Sequence, residues 1–178
     1  AKDYIDNWIA LTQLQSLRKT LLGLAIDADV VLDLHCDSEA VVHLYAEPTC
    51  WPKLEPLACL LGARAVLLAN ATGARCFDEA LSGLWWQLLS LAQADGCSMP
   101  IEQSCVSATV ELRGERDVSH ALAMCDANAL MQYLYHLGIV VAPDNHQVAL
   151  PSPLCEATPL AGTQPVRTPV PGVVVFAA

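Results

Sequence analysis

Two hydrophobic periods alternate along this chain, and that alternation constrains the fold more than any other feature. Ile5, Trp8, Leu11, Leu14, Leu17, Leu21 and Leu24 recur at spacings of three and four, which predicts an amphipathic helix over 4–26 with one buried stripe. The period then switches to two. Residues 29–36 and 40–46 read as strands, the second with Val42, Leu44 and Ala46 alternating with His43, Tyr45 and Glu47. A helix over Pro52–Leu61, opened by proline and closed by Gly62, precedes a short strand, Ala65–Leu68. Phe77–Ala94 reads as a helix interrupted at Gly83 and ended by Asp95-Gly96, and Val106–Leu112 as a strand. Asp117 or Ser119 can cap a last helix, with a stripe of Leu122, Cys125, Ala129, Leu130, Tyr133 and Leu137 and a stop at Gly138. Helices alternating with strands predict a layered α/β domain.

From Ala142 the helical period vanishes and prolines recur from Pro143 to Pro171, before Val173–Phe176 begins another strand. The chain therefore divides at 141/142. The first part is an α/β domain, and 142–178 is a Pro-rich linker leading into the first strand of a small β-domain.

Composition excludes several functions. With nine Lys and Arg against 19 Asp and Glu, the net charge of −10 repels a phosphate backbone, so nucleic acid is not the expected partner. Mean hydropathy is +0.38, yet charged or amide residues interrupt every apolar stretch before it reaches the roughly 18 residues of a membrane span. The apolar excess points instead to a surface that packs against more polypeptide or against a second copy in a homo-oligomer. Eight cysteines are scattered singly without a CxxC pair, the pattern of reduced thiols in a cytoplasmic protein. No P-loop, GxGxxG or GxSxG occurs, and the opening residues Ala-Lys-Asp-Tyr do not read as a signal peptide.

The chemistry concentrates on two strands. In Ala28–Asp37, Val30, Leu32, Leu34 and Cys36 share one face, while Asp33, His35 and Asp37 line the other toward the strand's C-terminal end. His35 is either a hydrogen-bonded strand-end histidine or a metal ligand. The flanking acids fit the second reading, because ligating imidazoles donate their other N–H to a carboxylate. Glu111 shares the polar face of 106–112 with Ser107, Thr109 and Arg113. It is either half of an exposed Glu-Arg pair or a catalytic carboxylate facing a cleft. A third arrangement would bring His35, Asp37 and His43 together across a hairpin near Ser38 as a different metal site. His120, His136 and Glu47 read as surface or cleft-lining residues, and Trp85-Trp86 as core and rim.

Four stretches carry a resemblance: AKDYIDNW (1–8), ADVVLDLHCDSEAVVHLY (28–45), SATVELRGERDVS (107–119) and ATPLAGTQPVRTPVPGVVVF (157–176). Together they resemble the succinylglutamate desuccinylase/aspartoacylase family of zinc-dependent deacylases, relatives of the metallocarboxypeptidases. The resemblance implies a three-layer α/β/α fold with a mostly parallel or mixed sheet, and makes 1–141 the central part of a catalytic domain. It implies hydrolysis of the amide bond of a small-molecule N-acyl amino acid or related acylated amine. By motif, His35 takes the place of the later zinc-ligating histidine and Glu111 that of the general base. Arg113 becomes a candidate for holding a substrate carboxylate or oxyanion, with Asp33 and Asp37 supporting the site. The family's HxxE pair is missing, since His35 and His43 are each followed by Glu at four residues rather than three. One zinc ion with an incomplete ligand set is thus the expectation, and the chain is expected to start downstream of the other ligands and to be inactive alone. The competing expectation is a non-catalytic binding or interaction domain that kept the scaffold after losing its metal centre.

Overall fold

The computed structural model describes residues 1–70, 76–96, 100–144, 146–172 and 175. Helices α1 (Lys2–Asn7) and α2 (Gln13–Ala25) lead into strand β1 (Val30–Asp37), followed by β2 (His43–Ala46) and α3 (Trp51–Leu61). Then come β3 (Ala65–Leu68), α4 (Phe77–Ala94), β4 (Val106–Gly114), α5 (His120–His136) and β5 (Ala157–Pro159). The five strands form one mixed sheet in the order β1-β4-β2-β3-β5. Only the β4–β2 pair is antiparallel.

Alternation along the strands builds the layers. Val106, Ala108 and Val110 of β4 and Leu44 and Ala46 of β2 face α3 and α5, where Leu54, Leu57, Ala129 and Tyr133 complete the main core. The Tyr133 hydroxyl, inside that core, donates to the Lys53 carbonyl at 3.0 Å. The opposite face of the sheet carries Val31, which joins Ala25, Leu81 and Cys105 in a smaller cluster under α2 and α4. The architecture is the three-layer α/β/α sandwich that the resemblance implied.

Local chemistry explains most boundaries. Thr12 and Ser119 cap α2 and α5, accepting from the backbone N–H groups of Gln15 and Leu122. Gly62 ends α3 at φ 66°, a left-handed conformation that a Cβ would penalise. Gly83 sits inside α4 because a side chain there would reach Glu47 Oε1 at 2.9 Å, so the helix can approach the sheet only without one.

Three expectations are corrected. The helix over 4–26 is two helices with a break at Trp8, where the chain turns extended. Most of its stripe is exposed: Leu11 is 82% and Leu24 76% exposed, and Leu14, Leu17 and Leu21 are exposed too, while Ile5 is buried. The strands β1 and β2 are not a hairpin, because β4 enters between them. Within 142–178, β5 pairs in parallel with β3 as an edge strand of the sheet. Most of the strand expected at Val173–Phe176 lies outside the described residues. Among the described residues no helix is long and apolar enough to cross a membrane.

Candidate functional site

Register places the two strongest candidates side by side. His35 of β1 pairs with Glu111 of β4, and two residues earlier Asp33 pairs with Thr109. Adjacent strands lie about 4.8 Å apart, so in-register residues present neighbouring side chains on one face. β2 continues the rows, with His43 beside Glu111 and Tyr45 beside Thr109. The result is a polar sheet face, which α4 covers only in part. At the C-terminal ends of the parallel strands β1 and β4 it opens into a cleft of about 410 Å³. Asp33, His35, Thr109 and Glu111 form its floor, and Tyr45, Phe77 and Asp78 form its walls. Sites of α/β proteins gather at such strand ends, where loops leave a crevice that the helices do not fill.

His35 Nε2 lies 3.0 Å from Asp33 Oδ2. That bond to the carboxylate lifts the imidazole pKa, burial opposes it, and Glu111 and Asp78 add to the rise. Glu111 Oε2 is buried with no hydrogen-bond partner. The same is true of Asp78 Oδ1, in a residue 5% exposed whose carboxyl pKa is raised by burial. Burial likewise raises the Tyr45 phenol.

Two expected members of the site are elsewhere. Arg113 does not face the cleft: its guanidinium donates two bonds to Asp126 of α5, at 2.8 and 2.6 Å. Simple alternation fails there because Arg113 has a φ of 134°, and the β1–β4 register shifts between His35 and Asp37. The irregularity turns the strand end toward α5. Asp37, beyond the shift, accepts from the Ser38 backbone N–H at 2.6 Å and so holds its own turn. The arrangement of His35, Asp37 and His43 does not form. Two strand spacings, roughly 9.6 Å, separate the histidines, and His43 Nδ1 is engaged with the Val41 carbonyl at 2.8 Å.

Among the described residues no three His, Cys, Asp or Glu side chains come together as a metal-ligand set. His35, with one ring nitrogen on a carboxylate, is presented as a single ligand would be.

Sequence reasoning missed Tyr45, Phe77, Asp78, Thr109 and Glu47. Thr109 and Tyr45 were legible as members of polar strand faces, but nothing marked them as neighbours of His35. Asp78 looked like an ordinary first-turn acid of a helix. Glu47, expected near the surface, is 2% exposed and accepts from Trp86 Nε1 at 2.9 Å.

No protein-family model and no curated protein matches the chain. Solved structures do. A protein of Shewanella frigidimarina NCIMB 400 assigned as a succinylglutamate desuccinylase/aspartoacylase aligns over 80% of the chain at TM-score 0.64 and 27% identity. A succinylglutamate desuccinylase/aspartoacylase family protein of Shewanella amazonensis SB2B aligns over the same share at TM-score 0.63 and 29% identity.

The chain is a structural relative of the succinylglutamate desuccinylase/aspartoacylase family.

It spans 36% of the length of these two family structures. The product-bound ectoine utilization protein EutE of Ruegeria pomeroyi, 16% identical, aligns over 86% of the chain and 42% of its own length at TM-score 0.51, which extends the likeness of fold.

Proposed function

We propose that the cleft is one part of the active site of a zinc-dependent deacylase that hydrolyses the amide bond of a small N-acylated amine or amino acid. The observation that carries this reading is the in-register pairing of His35 with Glu111, with Asp33 bonded to the imidazole. The likeness to desuccinylase/aspartoacylase structures supports it.

Each residue has a physical role. Asp33 fixes the ring of His35 and leaves Nδ1 as the nitrogen a metal would take. The other ligands would come from polypeptide outside this chain. Bound there, zinc would lower the pKa of water to about 7 and polarise the acyl carbonyl. Glu111, its Oε2 bare of competing bonds, takes a proton from the attacking water and returns it to the departing amine nitrogen. One water and no net proton are consumed in C–N cleavage, which yields a carboxylate and an ammonium, and Glu111 ends as it began. Phe77 and Leu160 restrict solvent at the cleft wall.

The test is a pair of substitutions in the complete enzyme. Glu111→Gln is expected to lower kcat on N-acetyl or N-succinyl amino acids by about 10²-fold or more with zinc content unchanged. His35→Ala is expected to lose the zinc itself. Retained turnover removes Glu111 from the mechanism, and one-to-one zinc surviving His35→Ala removes His35 from the ligand set.

A further inference from the structure

When water adds to an amide, the carbonyl oxygen gains negative charge, and a donor already waiting at that oxygen lowers the barrier. The cleft is poor in such donors. Among its described lining residues Asp33, Asp78, Glu79 and Glu111 bring carboxylates, and only His35, Tyr45 and Thr109 carry an O–H or N–H on the side chain. Two of these three are committed. His35 holds Asp33 through Nε2, while the Thr109 hydroxyl bonds the Asp78 carboxylate. Arg113, the donor expected from strand alternation, is turned to Asp126. That leaves the Tyr45 phenol, which lines the cleft and has no hydrogen-bond partner among the described residues.

The sheet brings this phenol toward Glu111. Tyr45 of β2 stands opposite Thr109 of β4, and His43 opposite Glu111. Glu111 is therefore the diagonal neighbour of Tyr45, about 7–8 Å away, a span within reach of an aromatic side chain. The ring leans that way: it meets the His43 ring edge-on with centroids 5.2 Å apart. His43 is itself drawn back by the Val41 carbonyl, so the approach is made by Tyr45. Burial, together with the charges of Glu111 and Asp37, raises the phenol pKa, which keeps the proton on the oxygen and available to donate.

We propose that Tyr45 is a further catalytic residue, its phenol O–H donating a hydrogen bond to the substrate carbonyl oxygen as that oxygen becomes the tetrahedral oxyanion; this deepens the deacylase reading and rests on it. The surrounding carboxylates select the role. They would repel a substrate carboxylate at that spot, whereas a carbonyl oxygen arrives neutral and takes on charge only in the transition state. Tyr45 keeps its proton throughout. Water oxygen forms the new C–O bond, the C–N bond breaks, and the proton passes through Glu111. Because the phenol bond strengthens only as charge develops, it acts on kcat rather than on KM.

The test is Tyr45→Phe in the complete, zinc-loaded enzyme, assayed beside wild type on N-acetyl and N-succinyl amino acids. The ring stays and the hydroxyl has no partner among the described residues, so melting midpoint and zinc content are expected to be unchanged. Turnover is expected to fall about 10²-fold, with KM within twofold of wild type. A second readout needs no turnover. The phosphonamidate analogue of the substrate, with a tetrahedral P–O⁻ in place of the oxyanion, is expected to bind Tyr45→Phe at least tenfold more weakly, while acetate binds both proteins equally. A kcat within threefold of wild type, a loss confined to KM, or an unchanged analogue affinity overturns the proposal and leaves the deacylase reading standing. If wild type hydrolyses none of these substrates, that reading falls and the proposal falls with it.

Discussion

Replacing Arg113 by Met removes a guanidinium whose two donors reach Asp126 at 2.8 and 2.6 Å, in a pair only 19% and 13% exposed. Breaking a fully buried pair costs about 3–5 kcal/mol, because the surviving charge has lost both water and partner, while an exposed pair is worth about 0–1 kcal/mol. This pair lies nearer the buried end. Discounting for the solvent that still reaches it leaves about 2–3 kcal/mol for Arg113→Met. Met keeps a Cβ, so the strain of the 134° φ is present in both proteins and cancels. Asp126→Leu strands the guanidinium and is expected to cost a similar amount. The double variant, with neither charge left stranded, is expected to cost no more than either single variant, a coupling of about 2–3 kcal/mol. Urea denaturation reads this as a fall in midpoint of about 1 M for each single variant at unchanged slope. Strictly additive losses, or a single-variant cost below about 0.5 kcal/mol, would show that the pair does not hold β4 to α5. The same variant tests the expectation that Arg113 holds substrate: in the complete enzyme its KM is expected to be unchanged, and a tenfold rise would return Arg113 to the cleft.

Burial raises the pKa of both Glu47 and Asp78. Their favourable contribution is therefore complete below the ordinary carboxylate range and is lost as pH rises through the raised folded values. Unfolding free energy is expected to fall as pH rises above the ordinary carboxylate range, and Glu47→Gln should flatten that fall in melts across the range; an unchanged slope would refute the assignment. Tyr133→Phe removes the donor to the Lys53 carbonyl; about 1 kcal/mol of stability should go, read as a shifted denaturant midpoint. Leu54, fully buried between α3 and the sheet, should lose about 2–5 kcal/mol when cut to Ala, measured the same way.

Legibility differed between the fold and the site. The α3, β3 and α4 segments were readable because proline, glycine and apolar periods act locally. The strand bearing Asp33 and His35 was readable for the same reason. The split of the first helix was not, because the Leu11–Leu24 stripe carries the full helical period while contacts outside these residues decide whether it is buried. β5 was invisible in a proline-rich stretch, since a three-residue edge strand needs only a neighbour with free backbone groups. The partner of Arg113 was also misread: i, i+2 alternation assumes a regular pleat, and the β4 end is irregular.

The chain's periods by themselves determined that helices and strands would alternate and which strand faces would be polar, because burial of side chains follows local geometry. Only the tertiary structure decided that β4 lies between β1 and β2. That insertion puts Glu111 beside His35 and sends Arg113 to α5. Strand order is set by long-range packing of whole layers, and no local residue pattern encodes which strand will be whose neighbour.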